Sequence, residues 1–357
     1  MTILDYRTLS KVYFCSDIHG DFYSFFSNLK YNLSKGEECI NIAPPFEKKE
    51  NNGEVVDRIL NEIRYQRPRL DWGDFGGDPL NTFDKPIRRK KKKDNEKRYD
   101  NSLIIVCGNA NLDVFDGTRR EELFHMANDM LSQNNTTILF IRGNKDNPEV
   151  FNGYLDLSHI KAIPDYSVVM TKDSNLLCVG GGISLDRLWV QEQEKRINQF
   201  SSKKKKLYFA NEAPVLNLDA LQEIVDNNIT INAVCSHVAP LCVNCENDAD
   251  INHWVKIDNS LLEDIQAERQ VMENILNFLN KTKQPLTWWG FGHYGKEISF
   301  KDKKKIFFCG LGYNRNPKSM IDLISNPSFK DKWNSYGHNS ATISNTVPHI
   351  IGRPIGF

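Results

Sequence analysis

Val12-Tyr13-Phe14-Cys15-Ser16-Asp17-Ile18-His19-Gly20 decides the fold of this chain, because an apolar run there stops abruptly in a polar, glycine-ended loop. The run from Val12 to Cys15 has the branched and aromatic composition of a buried strand. Beyond the loop, Phe22, Phe25, Phe26 and Leu29 recur at helical spacing, so the stretch reads strand, loop, helix. The same order recurs downstream. Leu103 to Cys107 is apolar and stops at Gly108-Asn109, ahead of a helix carrying Leu123, Met126 and Met130. Thr137 to Ile141 follows and stops at Gly143-Asn144-Lys145-Asp146-Asn147-Pro148, where glycine and proline punctuate a loop.

Ser167 to Met170 and Leu176 to Val179 also read as strands, the second closing on Gly180-Gly181-Gly182. Ile231 to Cys235 ends at Ser236-His237, and Leu286 to Phe291 ends at Gly292-His293. Glu297 to Phe300 and Ile306 to Phe308 add two strand-like runs. A helix from Leu261 to Leu279 carries Leu262, Ile265, Val271, Ile275 and Phe278 on one face. Strands alternating with helices predict an α/β fold around buried sheet, and in an open sheet the polar strand ends converge at one edge to form a site.

Composition narrows the class. The chain has 357 residues, 40% hydrophobic and 26% charged, the balance of a soluble globular protein. Forty-six basic and forty-six acidic side chains cancel, so no global field draws it to nucleic acid or an anionic membrane. With no apolar run long enough to span a bilayer and no leader-like start, the reading is a cytoplasmic protein with no membrane partner. Cys15, Cys107, Cys178, Cys235 and Cys309 sit at or near the ends of apolar runs and are expected to be buried and reduced. Cys242 and Cys245 form a lone Cys-x-x-Cys. It is read as two reduced thiols in a loop, with a zinc site or a cycling dithiol as alternatives.

Residues 33–100 lack periodicity, contain the basic run from Arg88 to Lys93, and read as an insertion partly ordered through Leu60, Ile63, Tyr65 and Trp72. Lys203 to Lys206 form a second basic cluster. Both clusters read as solvated loops, with a nucleic-acid backbone as the alternative partner. The polar tail after Met320 reads as an extended segment laid on the domain.

Singly, Asp, Asn, His and Gly are ordinary loop residues. In order, Asp17-x-His19, Gly108-Asn109, Gly143-Asn144-x-Asp146, Ser236-His237 and Gly292-His293 resemble the motif string of the calcineurin-like metallophosphoesterases. The resemblance runs from about residue 11 to 310 outside the insertion. Val179 to Arg187 and the helix before Trp288-Trp289-Gly290 are similar to one bacterial branch. It implies a two-sheet α/β/β/α sandwich over residues 1–320, interrupted at about 33–100, with 321–357 as a C-terminal extension.

It also implies a site. In that family two metals, about 3.5–4 Å apart, clamp a phosphate and activate water. By resemblance, Asp17 and His19 would hold the first, and Asn144, His237 and His293 the second. Asp146 would orient a neighbour, and Arg142 would offer phosphate a fork or form a surface salt bridge. Three positions depart from the pattern. Asn109 stands for the bridging aspartate, Lys145 for the histidine that protonates the leaving group, and Gly295 for the last histidine. The Asn109 amide can lend its oxygen to one metal beside Asp17 and His19, but it brings no charge and bridges cations poorly, so one tightly held ion, manganese, iron or zinc, is expected rather than two. Asp113 and Asp116 are candidates to supply the missing carboxylate, with helix-start or turn roles as the alternative. Lys145 would act as a donor or hold phosphate, although an ammonium keeps its proton too tightly for general-acid work near neutrality. His125, His159, His253, His338 and His349 are assigned ordinary surface or packing roles.

The leading reading is a metal-dependent phosphoesterase acting on a phosphomonoester, a phosphodiester or a nucleotide. Its rival is a pseudo-enzyme that binds a phosphorylated ligand, nucleic acid or protein without turnover.

Overall fold

The computed structural model describes residues 1–29, 99–113, 117–201, 204–245 and 248–320. The insertion expected at 33–100, apart from its last two residues, lies outside them. So do the run Arg88 to Lys93, Lys203, Asp116, and the C-terminal segment with His338 and His349.

A short strand β1 (Ile3–Asp5) precedes β2 (Lys11–Ser16) and helix α1 (Phe22–Asn28). Next come β3 (Ser102–Cys107), α2 (Gly117–Ser132), β4 (Thr137–Ile141) and a 3-10 turn, Pro148–Phe151. The chain continues through β5 (Ile160–Ala162), β6 (Ser167–Met170), β7 (Asn175–Val179), α3 (Arg187–Phe200) and α4 (Leu218–Asp226). It closes with β8 (Ala233–Ser236), α5 (Asp248–Val255), α6 (Leu261–Lys281), β9 (Trp288–Phe291), β10 (Ile298–Lys301), β11 (Phe307–Gly310) and β12 (Asn314–Ser319).

The strands form two mixed sheets. One runs β12-β2-β3-β4-β5, parallel except for β12, and the other β1-β6-β7-β8-β9-β11-β10, with β7, β8, β9 and β11 parallel. Because side chains alternate across a strand, each sheet has two apolar faces to cover. Phe14, Ile105, Leu139, Cys178, Cys235 and Trp288 fill the space between the sheets. Tyr13, Val106 and Phe140 face outward and pack under Phe22, Phe26 and Phe124 of α1 and α2. On the far side, Leu177, Val234 and Trp289 pack under Leu221, Met272 and Ile275 of α4 and α6. The layers are therefore helix, sheet, sheet, helix, the arrangement that the family resemblance implies; the alternation of strands and helices alone predicts only an α/β fold.

The five strand-end cysteines are buried, and the Cys235 thiol lies against those of Cys107 and Cys178. Cys242 is exposed and Cys245 buried. On α6, Leu262 points outward at 45% exposure, against the expectation that it joins the apolar face. Among the described residues, no helix is long and apolar enough to cross a membrane.

Candidate metal centre

The carboxyl ends of β2, β3, β4, β8 and β9 meet at one edge of the sandwich. Parallel neighbours present these ends together, and the backbone there is held in an uncommon conformation. Asp17, His19, Asn109 and His293 have φ of 57°, 52°, 52° and 69°, in the left-handed region that costs an ordinary residue roughly 1–2 kcal/mol. Cross-loop bonds hold them there. Asp17 N donates to Gly108 O at 3.1 Å, and His19 N to Asn109 O at 2.8 Å. His293 N donates to Asp17 Oδ2 at 3.1 Å.

His237 is fully buried with its ring against the end of β3. A Cβ on Gly108 would lie 2.1 Å from His237 Nδ1, so glycine is what admits the ring. Its Nδ1 sits 2.8 Å from Cys107 O. A carbonyl only accepts, so Nδ1 carries the hydrogen and Nε2 a lone pair, and burial lowers the ring's pKa and keeps it neutral. Nε2 in turn lies 2.9 Å from Asn144 Oδ1.

The amide's orientation is determined by its other end. Asn144 Nδ2 donates to Ser184 Oγ at 2.9 Å, and Ser184 spends its own hydrogen on Glu212 Oε2 at 2.6 Å. Two acceptor lone pairs therefore face each other across 2.9 Å, an arrangement that repels unless positive charge lies between them. His293 packs its ring edge-to-face on His237, with centroids 4.9 Å apart.

The neighbouring group is built differently. Asn109 Nδ2 donates to Asp17 Oδ1 at 3.0 Å, and Asn109 Oδ1 accepts from Lys145 N at 2.9 Å. Ser16 Oγ donates to Asp17 Oδ2 at 2.6 Å. His19 Nε2 is 3.7 Å from Asp17 Oδ1, with the His19 side chain 36% exposed. The amide oxygen expected to face a metal thus faces the backbone of Lys145, because the amide nitrogen is drawn to the carboxylate. Gly295, at φ +64°, adjoins Tyr313, whose Cε2 would be 1.9 Å from a Cβ there. The phenol ring takes the space beside His19 that a side chain at 295 would need, with centroids 5.9 Å apart.

Asp146 is fully buried and accepts from Gly143 N at 2.7 Å and Asn111 N at 2.5 Å, closing the loop that carries Asn144. Burial pushes its carboxyl up to about 6, against the pull of those amides. Asp113 bonds to Asn147, and its charge acts on Asp146; burial raises its pKa. The Lys145 ammonium pairs with Asp186 at the start of α3. Arg142 lies near enough for its charge to act on His237, but its donors are committed: it pairs with Asp165 at 2.8 Å and donates to the carbonyls of Asn211, Glu212 and Ala213. Its salt bridge is buried rather than at the surface, because three carbonyls and a carboxylate together consume the guanidinium's donors.

Among the described residues, no three His, Cys, Asp or Glu side chains cluster to hold a metal; at His237 two imidazoles stand together with the Asn144 amide. The profile of the calcineurin-like phosphoesterases matches residues 10–259, more than half of the chain. The chain belongs to that family. As a calcineurin-like phosphoesterase it comes from a family that uses divalent metals; the facing acceptors of Asn144 and His237 are of the kind that binds such an ion, whereas an N–H fills the gap between Asp17 and Asn109. No curated protein matches its sequence. Among solved structures, it is similar to a protein from Staphylococcus aureus described as a 5'-nucleotidase in complex with alpha-ketoglutarate. The two share 11% identity and a TM-score of 0.32, over 85% of this chain and 48% of that one. It is also similar to the phosphopantetheinyl hydrolase of Mycobacterium tuberculosis, at 8% identity and a TM-score of 0.31, over 88% of this chain and 97% of that one. The chain thus spans about half the length of the first of these.

Ser184, Glu212 and Tyr313 escaped the sequence reading. Ser184 lies inside the Val179 to Arg187 stretch singled out there, which was a usable signal. Glu212 sits in an irregular segment between α3 and α4, and Tyr313 just before the last strand; neither has a local pattern.

Proposed function

We propose that this phosphoesterase hydrolyses a phosphomonoester, a phosphodiester or a nucleotide with one tightly held divalent cation, manganese, iron or zinc, ligated by Asn144, His237 and His293. The observation that carries the reading is the pair of acceptors, Asn144 Oδ1 and His237 Nε2, facing each other at 2.9 Å inside a buried strand-end cluster. When bound, such a cation withdraws charge from a phosphate and makes a water acidic enough to attack near neutrality. The chain's own groups do the rest. Cys107 O holds the His237 tautomer, and Asp146 closes the loop under Asn144. In this reading the Asp17 carboxylate would orient a water and the His19 imidazole, 36% exposed, a leaving oxygen. Lys145, a quarter exposed beside Asp186, supplies a point charge for the phosphate. Within this reading the phosphoesterase domain is 1–320 with an insertion at 33–100 and an extension at 321–357, and the protein acts in the cytoplasm on a phosphorylated small molecule or nucleotide.

A second reading, a scaffold that binds without turnover, is favoured by one feature. The Asn109 amide and the Tyr313 ring occupy the places where a second metal's ligands would stand. Elemental analysis of the purified protein, beside hydrolysis of a chromogenic phosphodiester with added manganese, separates the two. About one equivalent of metal and activity lost in His237→Ala is the expected result; no metal and no turnover in either protein would leave the scaffold.

A further inference from the structure

The proposed cation site depends on which end of the Asn144 amide faces it. The two ends are nearly equal in size and opposite in function, one accepting and the other donating. Packing alone does not choose between them; hydrogen bonding does.

We infer that Glu212, acting through the Ser184 hydroxyl, is the positioning residue that turns the Asn144 oxygen toward His237 and so creates the cation site; this rests on the reading of that position as a cation site. Ser184 presents two donors to the Glu212 carboxylate, its N–H to Oε1 at 2.9 Å and its O–H to Oε2 at 2.6 Å. With its only side-chain hydrogen committed, Ser184 Oγ can only accept. It therefore takes the Asn144 NH2 at 2.9 Å and leaves the amide oxygen to face His237. Asn144, Ser184 and Glu212 are all buried, so no water competes for these bonds. The carboxylate is itself anchored by its own backbone: Glu212 O accepts from Gly182 N at 2.9 Å and from Arg142 Nη1 at 2.7 Å. Arg142, read from sequence as a phosphate fork or a surface salt bridge, fixes the base of this relay.

The inference has an unusual consequence. Glu212→Gln keeps the shape but adds an N–H that donates to Ser184 Oγ. The hydroxyl must then donate onward, and Asn144 turns its oxygen to Ser184 and its NH2 to His237 Nε2. The metal-free protein gains a hydrogen bond where it had two opposed acceptors, while the cation meets an N–H.

The test compares the parent with Glu212→Gln and Ser184→Ala in three measurements: Mn2+ binding by titration calorimetry, thermal unfolding of the metal-free protein, and the 15N resonance of His237 Nε2. Mn2+ affinity is expected to fall ten- to a hundredfold in both variants, the range for losing an outer-sphere partner. In Glu212→Gln the metal-free protein should unfold at the parent's temperature or higher, with the Nε2 resonance moved in the direction of an accepted hydrogen bond. Mn2+ affinity within twofold of the parent in Glu212→Gln overturns the inference, as does a fall that merely follows a loss of metal-free stability. If the parent binds no Mn2+ but the Nε2 resonance moves, the relay stands and the cation reading falls. An unmoved resonance rejects the relay.

Discussion

At one end of the site Asn144 Oδ1 and His237 Nε2 face each other with both lone pairs bare; at the other, Asn109 Nδ2 closes onto Asp17 Oδ1. Both ends use an asparagine at the end of a parallel strand, and both place it beside a group able to bind metal. They differ in what holds the far side of the amide. Ser184, tied to Glu212, takes the nitrogen of Asn144, whereas the backbone N–H of Lys145 takes the oxygen of Asn109. A side chain's capacity as a ligand is thus decided by its second partner, not by its type.

The most severe way to break this comparison is to remove a ligand from each end. His237→Ala is expected to weaken Mn2+ binding by more than about a hundredfold and to abolish hydrolysis, and Asp17→Ala to cost distinctly less in affinity. Equal losses by calorimetry would mean that the two ends are not different in kind.

Asn109→Asp sharpens the contrast by replacing the plug. Two carboxylates then face each other at the distance where an N–H now meets an oxygen. Without metal this should cost about 3 kcal/mol, seen as a lower unfolding temperature after chelation. With manganese the stoichiometry by elemental analysis should rise from one to two. A stoichiometry that stays at one would show that Asn109 is not what limits the second ion.

The third effect is pH-dependent and belongs to the Glu212 side alone. Burial raises the Glu212 carboxyl from 4.5 to about 7, against its bonds from Ser184. A raised carboxyl favours folding most fully when protonated, so metal-free stability is greatest below about 4.5 and is lost as pH rises to about 7, by roughly 2–3 kcal/mol. Asp146, pushed up to about 6, adds a slope of the same sign, so the Glu212 contribution is read by difference. Unfolding temperatures from pH 4.5 to 8 should fall more steeply in the parent than in Glu212→Gln; parallel curves would remove Glu212 from the account.

The smallest effect is expected at Gly295. Gly295→His alone should destabilise by about 1–2 kcal/mol, since a side chain there meets the Tyr313 ring and the backbone is left-handed. Pairing it with Tyr313→Ala should recover the steric part, measurable by thermal unfolding. No recovery would mean that the ring is not the obstacle.

Most of the architecture was legible. Phe14 and Tyr13 alternate between the two faces of one strand, and α1 announces itself by four apolar residues at helical spacing, because burial imposes those periods locally. The strands β1, β5 and β12 and the helices α3, α4 and α5 were missed. Three-residue strands leave too few positions to show a period, and α4 and α5 follow irregular segments that do not mark their starts. In the site, the ordered motif string named the residues that the structure brings together at the strand ends. Arg142 could not be sorted that way: its four acceptors come from residues 165 and 211–213, and no spacing between them is informative.

What the sequence by itself determined is the longer strands that lead into the site and the polar residues at their ends, since each follows from composition within a few neighbouring positions. What only the tertiary structure decided is the polarity of each site residue. Whether Asn144 offers an oxygen and Asn109 a nitrogen depends on Ser184, Glu212 and Asp17, which are distant in the chain. An amide commits its two ends only when its partners have already committed theirs.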